Sequence, residues 1–155
     1  DLIVVYPSII FAVIFLIIYF RQTYVTKKCI EKLEGKWESV LNEMDSSDTF
    51  YFKKAKLYLT KNYLVSYQAG LEVYDYNDIV WIYPHEYRYN GSLSQKSIFV
   101  VTKNSKAHKL ATVSASKKNL VMFDELYNTF LNRMPNVLSG YTKENKEKAK
   151  ELYQK

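Results

Sequence analysis

The chain has 155 residues, with 22 Lys and Arg against 16 Asp and Glu, a net charge of +6, one cysteine and four glycines. That length holds one ordinary domain with a modest core, and a single cysteine excludes the intrachain disulfides on which small extracellular domains depend. Glycines at 35, 70, 91 and 140 are too few and too scattered to cradle a phosphate, which excludes nucleotide chemistry of the P-loop or dinucleotide kind.

The first element is an apolar run. Of the nineteen positions from Leu2 to Phe20, only Pro7 and Ser8 are neither apolar nor aromatic, and no charge interrupts the run before Arg21. As a helix it reaches roughly 28 Å, close to the hydrocarbon thickness of a bilayer. A signal peptide would carry a basic leader and a shorter apolar stretch, and a buried core helix would show a polar stripe, so residues 1–20 are expected to span a membrane. Arg21, Tyr24, Lys27 and Lys28 follow at once, where basic and amphipathic aromatic residues favour the membrane interface. Lys32 and Lys36 add to this excess over Glu31 and Glu34, which places the large C-terminal part on the cytoplasmic side of the cell membrane after a single pass.

Residues 21–47 carry an amphipathic pattern. Val25, Cys29, Leu33, Trp37, Val40, Leu41 and Met44 recur every three or four positions, which predicts a juxtamembrane helix with a weak point at Gly35. Cys29 is expected to face a neighbouring helix, and Asp45 to Asp48 to form a loop. Beyond it the period becomes two. Thr49–Phe52, Lys56–Thr60, Tyr63–Tyr67, Leu71–Asp75 and Ile79–Tyr83 read as strands rich in aromatic and β-branched residues. Within the last, Ile79, Trp81 and Tyr83 are expected on one face and Val80 and Ile82 on the other, in a central strand stopped or bulged by Pro84.

Glu86–Tyr89 resumes the strand, and Asn90-Gly91 is the strongest hairpin signal in the chain. A second hairpin, Ser97–Lys103 and Lys106–Val113, turns at Asn104 and Ser105. Ser114 or Ser116 can then cap a helix whose apolar face is Leu120, Phe123, Leu126, Tyr127, Phe130, Leu131 and Met134, closed by Pro135. Residues 141–155 predict a polar, solvent-facing helix with Glu144–Lys148 at ion-pair spacing.

About seven short antiparallel strands followed by one amphipathic helix is an α+β arrangement, a bent antiparallel sheet or partly open barrel closed by its C-terminal helix. This order resembles the pleckstrin-homology-like (PH-like) superfold, over residues 48–140. The stretches LYLTKNYLVSY (57–67), GLEVYDYNDIVWIY (70–83), 97–113 and MPNVLSGYTKEN (134–145) are similar to functionally uncharacterised bacterial membrane proteins with one span and a cytosolic PH-like domain. The motifs are strand and helix patterns with no catalytic residue in them, so the fold alone does not assign a function.

No enzyme motif stands out. His85 and His108 are the only histidines and neither has a second ligand at metal-binding spacing, so no metal or cofactor is expected. A site dispersed across loops would instead show as a deep pocket lined by His85 or His108 with carboxylates nearby. Two lysine-rich stretches stand out, Lys53, Lys54, Lys56 and Lys61, and then Lys103, Lys106, Lys109, Lys117 and Lys118. The first is superficially similar to the basic early strands with which eukaryotic PH domains hold phosphoinositides, though without their interleaved arginine. It marks a candidate surface for anionic lipid or a partner. The 15 tyrosines read as strand residues with apolar bodies and wet hydroxyls, so no nucleic acid is expected. These features predict a non-enzymatic interaction module for an unidentified protein partner and for membrane lipid. The alternative is a structural subunit forming a homo-oligomer through its span and juxtamembrane helix.

Overall fold

The computed structural model describes residues 2–33, 35–68, 70–103 and 107–153. The chain is α+β, with an apolar N-terminal helix, two four-stranded sheets and helices after them. Helix α1 (Leu2–Lys32) is continuous through the apolar run and the first basic residues. It is long and apolar enough to cross a membrane, and the side chains from Ile9 to Phe20 are all exposed. The expected helix over 21–47 is two pieces. Gly35, at φ +83°, occupies the left-handed region in the link to α2 (Trp37–Met44), a conformation that costs glycine little.

Strands β1 (Phe50–Phe52), β2 (Leu57–Leu59), β3 (Tyr63–Ser66) and β4 (Glu72–Asp75) form an antiparallel meander, the first sheet. A 3-10 turn (Tyr76–Asp78) leads to β5 (Ile79–Tyr89), which pairs with β6 (Ser92–Thr102), and β6 with β7 (His108–Ser114). Asn90 (φ +48°) and Gly91 (φ +80°) make the β5–β6 turn as expected. The turn foreseen at Asn104 and Ser105, with Lys106, lies outside the described residues. Helix α3 (Lys117–Arg133) starts at Ser116, whose hydroxyl accepts from the Asn119 amide.

Both sheets bury one face against α3. Leu57, Leu59, Leu64, Ile82, Ile98, Val100 and Leu110 meet Phe123, Leu126 and Phe130 in one core, all at 1% exposure or less. Those three helical positions lie at spacings of three and four, which is why they share a face. The outer face of the first sheet is covered too. Tyr63, Val65 and Leu71 pack with Val40 and Trp37 of α2 and with Cys29 and Leu33 at the end of α1. Cys29 therefore faces a sheet rather than the helix expected, because α1 lies over β4.

Three sequence expectations change in β5 and after α3. The strand runs unbroken through Pro84, which pairs opposite Ile98 where β5 has a hydrogen-bonded neighbour on one side only, so the missing amide is tolerated. An irregularity between Ile79 and Trp81 breaks strict alternation. Ile79 and Ile82 consequently share the main core, while Val80, Trp81 and Tyr83 form a second one. That second core is covered by β8 (Leu138–Ser139), a two-residue strand parallel to β5, and by α4 (Lys143–Tyr153). The expected Glu144–Lys148 pair forms at 2.6 Å, but α4 is docked rather than wholly solvent-facing, with Ala149 at 2% exposure in the second core.

One carboxylate fastens α2 to the first sheet. Glu43 accepts from Thr60 Oγ1 (2.7 Å), from the Asn62 amide (2.9 Å) and from Asn62 Nδ2 (2.7 Å). Desolvation alone would push its carboxyl up, but these hydrogen bonds and neighbouring Lys61 outweigh it and hold the carboxyl below its ordinary value. Glu43→Ala is expected to cost about 2 kcal/mol at neutral pH, by leaving those donors without their charged acceptor. A carboxyl depressed by folding contributes fully above its unfolded value and loses that contribution as pH falls through the folded one. The gap between wild-type and Glu43→Ala urea midpoints should therefore be widest near pH 7 and narrow as the pH falls below the ordinary carboxylate range.

Candidate functional site

The meander decides which lysines meet. In an antiparallel meander the β1–β2 and β3–β4 turns lie at one end of the sheet and the β2–β3 turn at the other. Lys53, Lys54 and Lys56 occupy the first of these turns, held by Ala55 N to Phe52 O and Lys56 N to Lys53 O and anchored by the fully buried Ala55. Lys61 sits in the β2–β3 turn and is thereby separated from the other three. The start of α3 takes its place. Lys54 Nζ donates to Asn119 Oδ1 at 2.6 Å, which sets the lysine turn beside Lys117 and Lys118. Of the second basic stretch, Lys109 is on β7, and the Lys103 amide bonds Asp78 O elsewhere.

Helix α1 enters at this same end. Gly70, in the β3–β4 turn at φ +128°, lies against Val25 and the Gln22 carbonyl, and a Cβ there would come within 3.1 Å of Val25 Cγ1. Lys56 O accepts from the Tyr67 amide, so the lysine turn and the β3–β4 turn are adjacent. Gln22 is two residues past Phe20, about 3 Å along the helix. The five lysines thus lie on the end of the domain from which the apolar helix departs. Tyr24 is 65% exposed there with Lys28 Nζ 5.9 Å from its ring centroid, and Arg21 and Lys27 are exposed beside them.

A groove of about 540 Å³ runs along the end of α1 and the link to α2, lined from Val25 to Lys36. Lys28 and Lys32, one helical turn apart, and Lys36 in the link to α2 line one side. Glu72 and Asp75 of β4 and Asp78 of the 3-10 turn line the other. Val25, Leu33, Leu71 and Val73 supply apolar surface between them. Among the described residues the ion pairs within 4.0 Å join Arg88, Lys96 and Lys148 to Glu86, Asp124 and Glu144, and none crosses the groove.

His108 also borders this groove, whereas His85 lies on β5 against Tyr87 and Phe99. A histidine beside carboxylates is the combination that would mark a dispersed enzyme site. Two of these carboxylates, Glu72 and Asp75, have local partners. The His108 ring is tilted toward Tyr74 with centroids 6.0 Å apart, and Glu72 accepts from the Tyr74 hydroxyl at 3.1 Å. Asp75 Oδ1 accepts from the amide and side chain of Asn77, closing the turn. Burial and the Glu72 charge push the Tyr74 hydroxyl well above its usual range, which keeps it a donor. Among the described residues no group of three or more His, Cys, Asp or Glu is placed to hold a metal ion.

Sequence reasoning had the lysine turn but missed its partnership with α3, because Lys54 and Asn119 are 65 positions apart. It counted Lys28, Lys32 and Lys36 only as charge beside a span. The spacing of four between Lys28 and Lys32 was the available signal for one helical face, and Lys36 joins them from the link to α2. No family model, curated protein or solved structure matches the chain.

Proposed function

We propose that the protein is a single-span membrane protein whose cytosolic PH-like domain is a non-enzymatic interaction module, set on anionic lipid by its lysine-bearing end and free to bind a protein partner. The observation that carries this is the placing of Lys53, Lys54, Lys56, Lys117 and Lys118 at the end of the domain from which the apolar helix departs. With Ile9 to Phe20 dissolved in lipid, that end faces the headgroups, where each lysine contributes about 1 kcal/mol of attraction to an acidic surface. Continuous α1 and its packing over the first sheet favour one orientation rather than a loose tether. Two sheets closed by α3 support the PH-like reading, and the local partners of Asp75 and Glu72 favour binding over catalysis.

The alternative, a structural subunit assembling through its span and juxtamembrane helix, draws support from the α1 face that carries Tyr19, Thr23 and Ile30. It is left exposed by the domain. The lipid component is tested with the full chain in nanodiscs that contain phosphatidylserine. Changing Lys53, Lys54 and Lys56 to Glu should weaken the pull of the domain toward the surface by roughly 10²-fold or more, read as depth-dependent quenching of a label on the domain. Unchanged quenching at low salt removes lipid from the reading.

A further inference from the structure

We infer that the groove between α1 and β4 receives an extended peptide segment of a partner protein, with acidic residues on the side facing Lys28, Lys32 and Lys36 and basic residues on the side facing Glu72, Asp75 and Asp78. This rests on reading the domain as a protein-binding module and names where the partner sits and what chemistry it carries. The lysines and the carboxylates line the same groove. Lys28 to Lys32 covers about 6 Å of helix, and Glu72 to Asp75 about 10 Å of strand, the length of three extended residues.

Opposite charge on the two walls selects the class of occupant. A compact anion gains from the lysines and is repelled by the carboxylates, and a compact cation meets the reverse. An elongated segment with both signs on its two sides satisfies both walls, and its middle residue can cover the apolar surface of Val25, Leu33 and Val73. A volume of about 540 Å³ is within the range of pockets that take a ligand of a few residues. The walls are also held apart before anything binds. Val25 against Gly70 fixes α1, and β4 is paired along its length to β3, so no ion pair of the chain's own closes the groove among the described residues.

The test uses the full chain in phosphatidylcholine nanodiscs, whose neutral surface attracts no peptide, and three fluorescein-labelled ten-residue peptides. One alternates Glu and Lys about a central Leu, one is all-Glu, and one is all-Lys. Anisotropy should show the alternating peptide binding at least tenfold tighter than either of the others. Lys28→Glu with Lys32→Glu should move the preference to the all-Lys peptide, and Asp75→Lys with Asp78→Lys to the all-Glu peptide. Opposite shifts from opposite walls cannot come from misfolding. Equal binding of the three peptides, no binding, or an unmoved preference in both variants overturns the assignment, as does displacement of the alternating peptide by soluble phosphocholine or phosphoethanolamine. The chain with Lys53, Lys54 and Lys56 changed to Glu should keep the wild-type peptide preference, so the groove and the lipid-facing end stand or fall separately.

Discussion

Phe123→Ala should lower the unfolding free energy of the domain by about 3–5 kcal/mol, a large part of the 5–15 kcal/mol typical of a whole domain. The ring is 1% exposed and lies in the core shared by both sheets, with Leu126 and Phe130 on the same face of α3 and Lys96 Nζ 5.1 Å from its centroid. Removing it withdraws apolar surface from the shared core and leaves a cavity that rigid strands can collapse into only partly. Val121 on the same helix is 63% exposed, and Val121→Ala should stay within about 0.5 kcal/mol. Urea unfolding of the detergent-solubilised chain, followed by the fluorescence of Trp37 and Trp81, reads both. Equal midpoints for the two variants would contradict the placing of α3 as the closing helix of both sheets.

On the proposed single span, Ile14→Lys together with Ile17→Lys should release the chain from the membrane. Each substitution replaces a favourable mid-span residue by a lysine and costs about 3 kcal/mol of insertion free energy, so the pair costs about 6 kcal/mol, a shift of roughly 10⁴ in the partition. Neither side chain touches the domain core, since the two are 45% and 62% exposed on α1. Stability in detergent should consequently be unchanged while carbonate-resistant pelleting is lost. Leu41→Lys, at an exposed position of α2, serves as the control and should pellet like the wild type. Pelleting of the doubly charged variant at wild-type level would refute the span, and with it the argument that the lysine end faces lipid.

Local pattern was enough for much of this molecule. The apolar run, the weak point at Gly35, the Asn90-Gly91 turn and the apolar face of α3 each depend on residues within one or two turns of each other and are found where the residues place them, and of the two serines able to cap α3 the structure uses Ser116. Packing between distant segments decided the rest. β8 is two residues long and has no period of its own, so only its neighbour β5 defines it. The bulge after Ile79 put Trp81 and Tyr83 beside Val80 in the second core, an effect that alternation alone cannot express because one inserted residue reverses every later face. Ala149 is buried because α4 meets β5, although its own sequence is polar enough for a free helix.

The same division holds for the candidate sites. Residue types and their charges were determined by the sequence itself, down to the lysines at 53, 54 and 56 and the basic flank of the apolar run. Tertiary structure decided that Lys61 leaves that group and Lys117 and Lys118 join it, and that lysines of α1 stand across a groove from acids of β4. The physical reason is range. Propensity and periodicity act between neighbours along the chain, whereas a surface is assembled by strand pairing and helix docking between residues tens of positions apart.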